Sequence, residues 1–445
     1  MNILLMAEKG STRQLRLWAV MFVLFSAAMM ILMPVGRVPD EVAHFCQSYI
    51  IADGQWLSSV MTKMVSLPKD LSMFDSSTAS VGYLAELWKT DFSGERITVA
   101  LIANTAIYPP LSYIPQALGI RIASVFTANG LILAYSGRLV NWLCTFAVLY
   151  WAMKTMPCCR NLLFFLTLLP LNLQEAVSLS ADGLTIAWVF ALTAFVLRKF
   201  YEKEPFTKQD YGIAAVLSAA MVGWKLLYFP MVLLLIPIPR ECFPSAKQKK
   251  TMLLSVIGGG MLLLILWGLV CFLVVFQDAQ SGTYAGNTMS ALEGMGEKPF
   301  DFLLRMLATI LVYGKNYIKD IFGGALSWYN IYPNRFLVLG CMGLCMLLTL
   351  ADKGLALRLR DRMALLLPCL LTVVVVFLSL FVWWSPADSF LIQGVQGRYF
   401  LPVLPALIIA FKPRKAWGGK WIPALYAALF LLNTGFFYEI WKVTG

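Results

Sequence analysis

Leu15 to Val35 reads LRLWAVMFVLFSAAMMILMPV, an apolar run interrupted only by Arg16 near its start. Roughly 20 such residues wound as an α-helix cross the hydrocarbon layer of a bilayer. The run follows a basic leader containing Lys9 and Arg13. A cleaved signal peptide has a shorter apolar region and a small-residue cleavage site. This stretch instead runs on through Pro34 into Arg37 and Asp40. The reading is an uncleaved first transmembrane helix with its N-terminus in the cytoplasm.

The rest of the chain repeats the pattern. Of 445 residues, 59% are hydrophobic and only 13% charged, against about 25% charged in an ordinary soluble domain. Mean hydropathy is +0.72. A soluble protein this apolar could not cover its own core.

The net charge of +12 does not point to nucleic acid, because its distribution is wrong for that partner. The basic residues cluster in short gaps between apolar runs: Arg198 to Lys208, Arg240 to Lys250, Lys353 to Arg362, and Lys412 to Lys420. That is the positive-inside signature of cytoplasmic loops, with anionic membrane lipids as the expected partners. Most of the nine cysteines lie inside apolar runs, where a thiol behaves as a small hydrophobe, and no C-x-x-C pair suggests zinc.

These pinned loops set the topology by parity. Counting backward from Arg198, helices are expected at about 182–198, 161–179 and 131–152. Everything from Arg37 to Gly130 then lies outside. The segment YPPLSYIPQALGIRIASVF, Tyr108 to Phe126, is long enough to span, but parity lays it along the membrane surface, and its prolines and Arg121 agree. Both flanks of 211–239 carry cytoplasmic charge, so two short helices must meet at an outer tip near Trp224 and Lys225. Further spans are expected at about 251–276, 336–351, 363–384, 396–411 and 421–440. A second outer segment, 277–335, starts polar and turns amphipathic and aromatic from Phe300 to Tyr332. The expectation is an all-α polytopic membrane protein of about eleven transmembrane helices, helical almost throughout, with no soluble domain.

The chemistry gathers after the first helix, in Gly36-Arg37-Val38-Pro39-Asp40-Glu41-Val42-Ala43-His44-Phe45. Two adjacent carboxylates and the only histidine of the chain sit where that helix leaves the membrane. Pro39 favours Asp40 as N-cap of a helix running to about Ala52, which would place Glu41 and His44 on one face within mutual reach. A carboxylate beside a low-dielectric surface has its proton affinity raised, as a general base requires. The same residues also suit a plain, solvated helix cap. Arg138, Lys225 and Arg398 all fall on the outer side by this topology, with Asp182 at an outer turn. Three cations near one acidic pair can hold a phosphate beside a base; each can also be a snorkelling anchor. Arg398 stands in QGRYFLPVLPALIIAF, Gln396 to Phe411, where Tyr399 fits an interfacial belt or a binding pocket.

PDEVAHF, YPPLSYIPQALG, GRLVN, the Ser180-Ala181-Asp182-Gly183 turn and QGRYFLPVLP, in that order, resemble the bacterial membrane family called domain of unknown function 2142. The likeness runs from roughly residue 16 to 411. That family is similar in layout to the GT-C superfamily of membrane glycosyltransferases, which take sugars from polyprenyl-phosphate carriers on the outer face of the membrane. The resemblance implies a GT-C-like fold in the bacterial cytoplasmic (inner) membrane, with two membrane-surface helices at about 41–54 and 108–126. It implies Asp40, or less favourably Glu41, as catalytic base, with His44 touching the acceptor or orienting Glu41. It further implies Arg138, Lys225 and Arg398 as donor phosphate ligands, with Asp182, Tyr108, Gln396 and Tyr399 in support. Cation-dependent members carry several separated acids around a metal, whereas this sequence offers one tight pair plus Asp182. No cofactor and no metal are therefore expected, a divalent cation being the less favoured alternative. The implied partners are a polyprenyl-phosphate-linked sugar and a cell-envelope glycan or lipid acceptor.

The strongest rival is a transporter or flippase of lipid-linked saccharides, but inverted repeats and paired broken helices near the midplane are not evident. An acyltransferase using the lone histidine as base has no other signature to support it. A purely structural scaffold would not need Asp40, Glu41, Arg138, Lys225 and Arg398 on one side.

Overall fold

The computed structural model describes residues 2–100, 103–271, 300–352, 357–386, 388–413 and 419–445. Helices dominate them. Six are long and apolar enough to cross a membrane: Thr12–Leu32, Gly130–Thr155, Asp182–Glu202, Ala246–Cys271, Leu359–Trp383 and Gly419–Thr444. Shorter apolar helices cover Leu226–Leu235, Arg335–Ala351 and Gly397–Phe411. Helices close most of their own backbone hydrogen bonds, the condition a bilayer imposes. The molecule is a multi-pass membrane protein.

Asp182–Glu202 is the axis of the bundle, since 83% of its most apolar window is buried, against 11% for Ala246–Cys271. The first packs against Gly130–Thr155 and Lys208–Trp224; the second presents Leu254, Leu262, Ile265 and Leu269 outward. An apolar helix face left open in this way is what lipid tails cover.

Two expected helices are broken, both at proline. The stretch 161–179 divides into Arg160–Thr167 and Pro170–Ala176. Pro170 has no N–H and holds the preceding residue out of helical geometry. Asn172 Nδ2 donates to the stranded Thr167 carbonyl at 2.9 Å. The stretch from Gln396 begins as a 3₁₀ turn, Gly397–Val403, and becomes α-helical only at Leu404–Phe411, with Pro402 and Pro405 removing donors at the junction. At Lys225 the expected interruption is present: Lys208–Trp224 ends there and the 3₁₀ segment Leu226–Leu235 follows.

The segment 37–130 carries helices Glu41–Ala52 and Ile114–Ser124, close to the expected 41–54 and 108–126. It also holds an antiparallel pair that an all-helical reading does not anticipate: β1 (Met64–Pro68) and β2 (Arg96–Ala100), with Ser66 opposite Thr98. The β-branched Ile97, Thr98 and Val99 favour the extended form. Arg96 adds a bridge to Asp53 at 2.7 Å.

Of the second segment, Gln277 to Lys298 lies outside the described residues. Its remainder forms the amphipathic helix Asp301–Ile321, and a loop follows that clasps the start of the first segment. Ser327 Oγ donates to the Arg37 carbonyl at 2.8 Å, Trp328 Nε1 to that of Gly36 at 3.1 Å, and Asn330 Nδ2 to that of Ser77 at 2.7 Å.

Candidate functional site

The turn after the first helix is shaped by Gly36. Its φ of +90° favours glycine, and a Cβ there would lie 1.9 Å from the Phe74 carbonyl oxygen. The chain then reaches Asp40, itself in the left-handed region at φ +64°. Aspartate tolerates that conformation better than most residues, and strained backbone of this kind gathers at functional sites.

Asp40 stands at the N-cap position of Glu41–Ala52, but its side chain makes no cap hydrogen bond. The expected capping role is not taken up. The carboxylate turns instead to Arg398, accepting from Nη2. Arg398 also donates from Nη1 to the Pro39 carbonyl at 3.1 Å. Its guanidinium faces two further acids beyond hydrogen-bond range, Glu175 at 3.8 Å and Asp182 at 3.7 Å. Asp182, the first residue of the axial helix, accepts from Lys225 Nζ at 2.5 Å. Lys225 lies 4.9 Å from the ring centre of Tyr399 and 5.4 Å from that of Tyr108. Four charged groups, from residues 40, 182, 225 and 398, thus meet in one place.

Their exposure differs in a way that assigns roles. The side chains of Arg398 and Lys225 are each 4% exposed and Asp182 9%, whereas Asp40 is 30% exposed. Asp40 is the member of this quartet that a substrate can touch. Burial alone would raise its proton affinity, but Arg398 and the neighbouring His44 outweigh that and hold it below its ordinary value. The expected rise is reversed, because the partner cation lies within hydrogen-bonding distance.

Glu41 and Arg138 form a separate unit. Arg138 Nε and Nη2 reach the two carboxylate oxygens at 2.8 and 2.6 Å, with both side chains fully buried. Arg138 Nη1 and Nη2 also donate to the Met33 and Pro34 carbonyls, at 2.7 and 3.2 Å. Glu41 further accepts from the backbone N–H of Gly36 at 2.9 Å and of Leu179 at 3.0 Å. Both side chains are fully buried in this pairing, so neither Arg138 as a phosphate ligand nor Glu41 as a base is open to a substrate. The pair pins the turn to the bundle. The Glu41–His44 pairing expected from their spacing does not form, since Arg138 is the stronger partner for the carboxylate.

His44 Nδ1 is 2.8 Å from the Tyr113 hydroxyl, and its ring centre is 6.0 Å from that of Tyr108. Burial, with help from Lys225 and Arg398 and against the pull of Asp182 and Asp40, pushes its pKa down to about 4. His44 is thus neutral near pH 7 and adds no third cation. Burial likewise pushes the Tyr108 hydroxyl up to about 12, so it stays protonated.

Sequence reasoning missed Glu175. It lies fully buried in Pro170–Ala176, and its Oε2 has no hydrogen-bond partner. An acid within LNLQEAVSL was a usable signal, because intramembrane carboxylates are rarely idle. Gln396, Glu175 and Arg398 border a cavity of about 10 Å³, about the space one water needs. The cluster holds three acids to two cations, so its cations are already compensated. Among the described residues, no group of three or more His, Cys, Asp or Glu has the arrangement to hold a metal ion.

A family profile described as a predicted membrane protein (DUF2142) matches residues 22–407. No curated protein and no solved structure matches the chain.

Proposed function

The chain belongs to the DUF2142 family of predicted membrane proteins, and on that footing we propose that it is a membrane glycosyltransferase of GT-C type. It moves a sugar from a polyprenyl-phosphate donor to a cell-envelope glycan or lipid acceptor on the outer face of the bacterial inner membrane. The observation that carries this reading is the partly open carboxylate of Asp40, seated on the buried guanidinium of Arg398 beside Lys225 and Asp182.

The reaction balances with these groups alone. The acceptor hydroxyl gives its proton to the Asp40 carboxylate while its oxygen forms a bond to the anomeric carbon. The bond from that carbon to the phosphate oxygen breaks, and the electron pair leaves with the polyprenyl phosphate. Attack opposite the leaving group inverts the centre. Arg398 Nε has no hydrogen-bond partner in the resting site but is buried 3.7 Å from Asp182, so a phosphate meets the guanidinium only as it swings out beside Asp40. A phosphate drawing Arg398 away from Asp40 would also restore the proton affinity of the carboxylate, activating the base only when the donor is bound. Lys225, paired with Asp182 at 2.5 Å, offsets the negative field of that acid where the leaving group develops its own charge. No cofactor takes part in this scheme.

The eleven-span topology and the outer location of the site belong to the same reading. In its favour, Leu111, Ile114, Leu118, Ile122, Val125 and Phe126 form an outward apolar stripe along 110–126, as a helix lying in the membrane interface would show. Thiol labelling tests the sidedness. All nine native cysteines are buried or half-buried, so background reaction should be low. Met61→Cys, at a position 76% exposed, is expected to react with an impermeant maleimide added outside. Glu204→Cys should react only after permeabilisation. The reverse pattern would place the Asp40 site in the cytoplasm and remove the outer-face assignment.

The function itself is tested by incubating purified protein with a polyprenyl-phosphate hexose and following release of polyprenyl phosphate. Release that depends on the protein is the expected result. A donor left intact in the presence of envelope glycans would contradict the proposal.

A further inference from the structure

A second cavity, of about 900 Å³, opens between the Asp301–Ile321 helix and the 389–395 loop. Its helix wall presents Tyr313, Asn316, Tyr317, Lys319 and Asp320, and all but Lys319 are spaced so that they share one face. Leu304, Leu307, Leu311 and Ile318, outside that set, are exposed as well. The helix thus has a lipid-compatible face and a tyrosine-rich polar one. The loop opposite is held to it: Ile392 N–H donates to Thr309 Oγ1 at 2.9 Å, and Arg305, bonded to Asp301 at 2.7 Å, also donates to the Ser389 carbonyl. The cavity is built into the fold, and its size falls in the range of about 300–1,000 Å³ typical of small-molecule sites.

The lining selects the chemistry of an occupant. The loop wall carries apolar Leu391, Ile392 and Val395, but an acyl chain filling the cleft would strip water from Asn316, Asp320 and Gln393 without replacing their hydrogen bonds. A phosphate would meet the Asp320 carboxyl, which offsets the single Lys319 ammonium in the same lining. A neutral polyhydroxylated ring suits both features, since its C–H face stacks on tyrosine while its hydroxyls bond to amides and a carboxyl. Burial pushes the Asp320 carboxyl up to about 6, against the opposing pull of a Tyr329 hydrogen bond and Lys319.

The cavity also leads to the charged cluster. Asp320 and Tyr329 line both it and the small cavity that reaches Glu175 and Arg398. Gly397, next to Arg398 in sequence, touches the same helix: a Cβ there would stand 2.7 Å from Asp320 Cβ and 2.9 Å from the Tyr317 carbonyl oxygen.

We infer that the cleft between Asp301–Ile321 and the 389–395 loop binds neutral sugar units of the acceptor, leading its hydroxyl end toward Asp40. The assignment of these sugars to the acceptor rests on the glycosyltransferase reading; sugar binding itself does not. Saturation-transfer NMR on the full chain in lipid nanodiscs tests it, with maltotetraose, chitotetraose and mannotetraose as probes. At least one should receive saturation, weakened about tenfold by Tyr317→Ala and by Asp320→Asn but retained in Asp40→Asn. Gln393→Ala serves as a second variant that preserves packing, because that side chain is exposed and, among the described residues, bonds only to Ser389 Oγ, at 3.3 Å. It too should weaken the signal. No signal above empty nanodiscs from any of the three probes overturns the inference, as does a signal that all three cleft variants leave unchanged. Sugar binding in a protein that never turns over a donor would uphold the cleft and sink the transferase reading. Donor turnover without sugar binding would do the opposite.

Discussion

Asp40→Asn is expected to lower kcat for glycosyl transfer by about 10²–10⁴-fold, the usual contribution of a positioned general base. Asparagine keeps the shape and one acceptor oxygen for Arg398, while Glu175 and Asp182 still compensate that cation from 3.8 and 3.7 Å. The variant should therefore fold and bind a polyprenyl-phosphate sugar at least as tightly as the native protein, since Arg398 is freed for the phosphate. Donor affinity and turnover should part company, and full activity in Asp40→Asn would remove Asp40 as base.

The pH dependence carries the same logic. In the free protein Asp40 is held below its ordinary value, so it stays ionised through the neutral range. The acid limb of kcat/KM, which reports the free enzyme, should lie below the usual carboxylate range, with the rate falling as protonation sets in. With the donor on Arg398 that restraint weakens, so the acid limb of kcat should move to higher pH. Coincident limbs would show that Arg398 does not change partners.

The second large effect concerns stability. Arg138→Met leaves the Glu41 carboxylate without its cation where neither side chain is exposed. Removing one partner of a buried pair costs about 3–5 kcal/mol, a large share of the roughly 5–15 kcal/mol that holds a domain together. Loss of monodisperse protein, or a sharply lowered Tm in detergent, is expected. Glu41→Gln should be milder, because an amide oxygen can still accept from the Gly36 or Leu179 N–H. A folded Arg138→Met with native Tm and impaired donor binding would instead return Arg138 to the phosphate.

The contrast between these two arginines shows where sequence stops being legible. The long apolar runs are local, and their lengths identify helices directly; Lys225 in an apolar stretch likewise marks the break at Trp224. Pro170 and Pro402 are visible in the sequence too, but hydropathy runs through both and does not register the backbone break. The partnering of charges is not local. Asp40 and Glu41 are adjacent, yet the left-handed backbone at Asp40 sends one carboxylate to residue 398 and the other to residue 138. Helical spacing suggested Glu41 with His44; a buried guanidinium fixed by two carbonyls made a better partner for Glu41. Asp320 had no such signal, because its importance comes from Gly397 bringing a distant helix against Arg398.

Proteoliposomes carrying a polyprenyl-phosphate hexose and an envelope acceptor separate chemistry from transport. With native protein, the bond between sugar and carrier phosphate should break, giving free polyprenyl phosphate and a lengthened acceptor, and Asp40→Asn vesicles should give neither. Movement of the intact lipid-linked sugar between leaflets, with that bond unbroken, would mean that the charged cluster serves translocation and that no transferase is present.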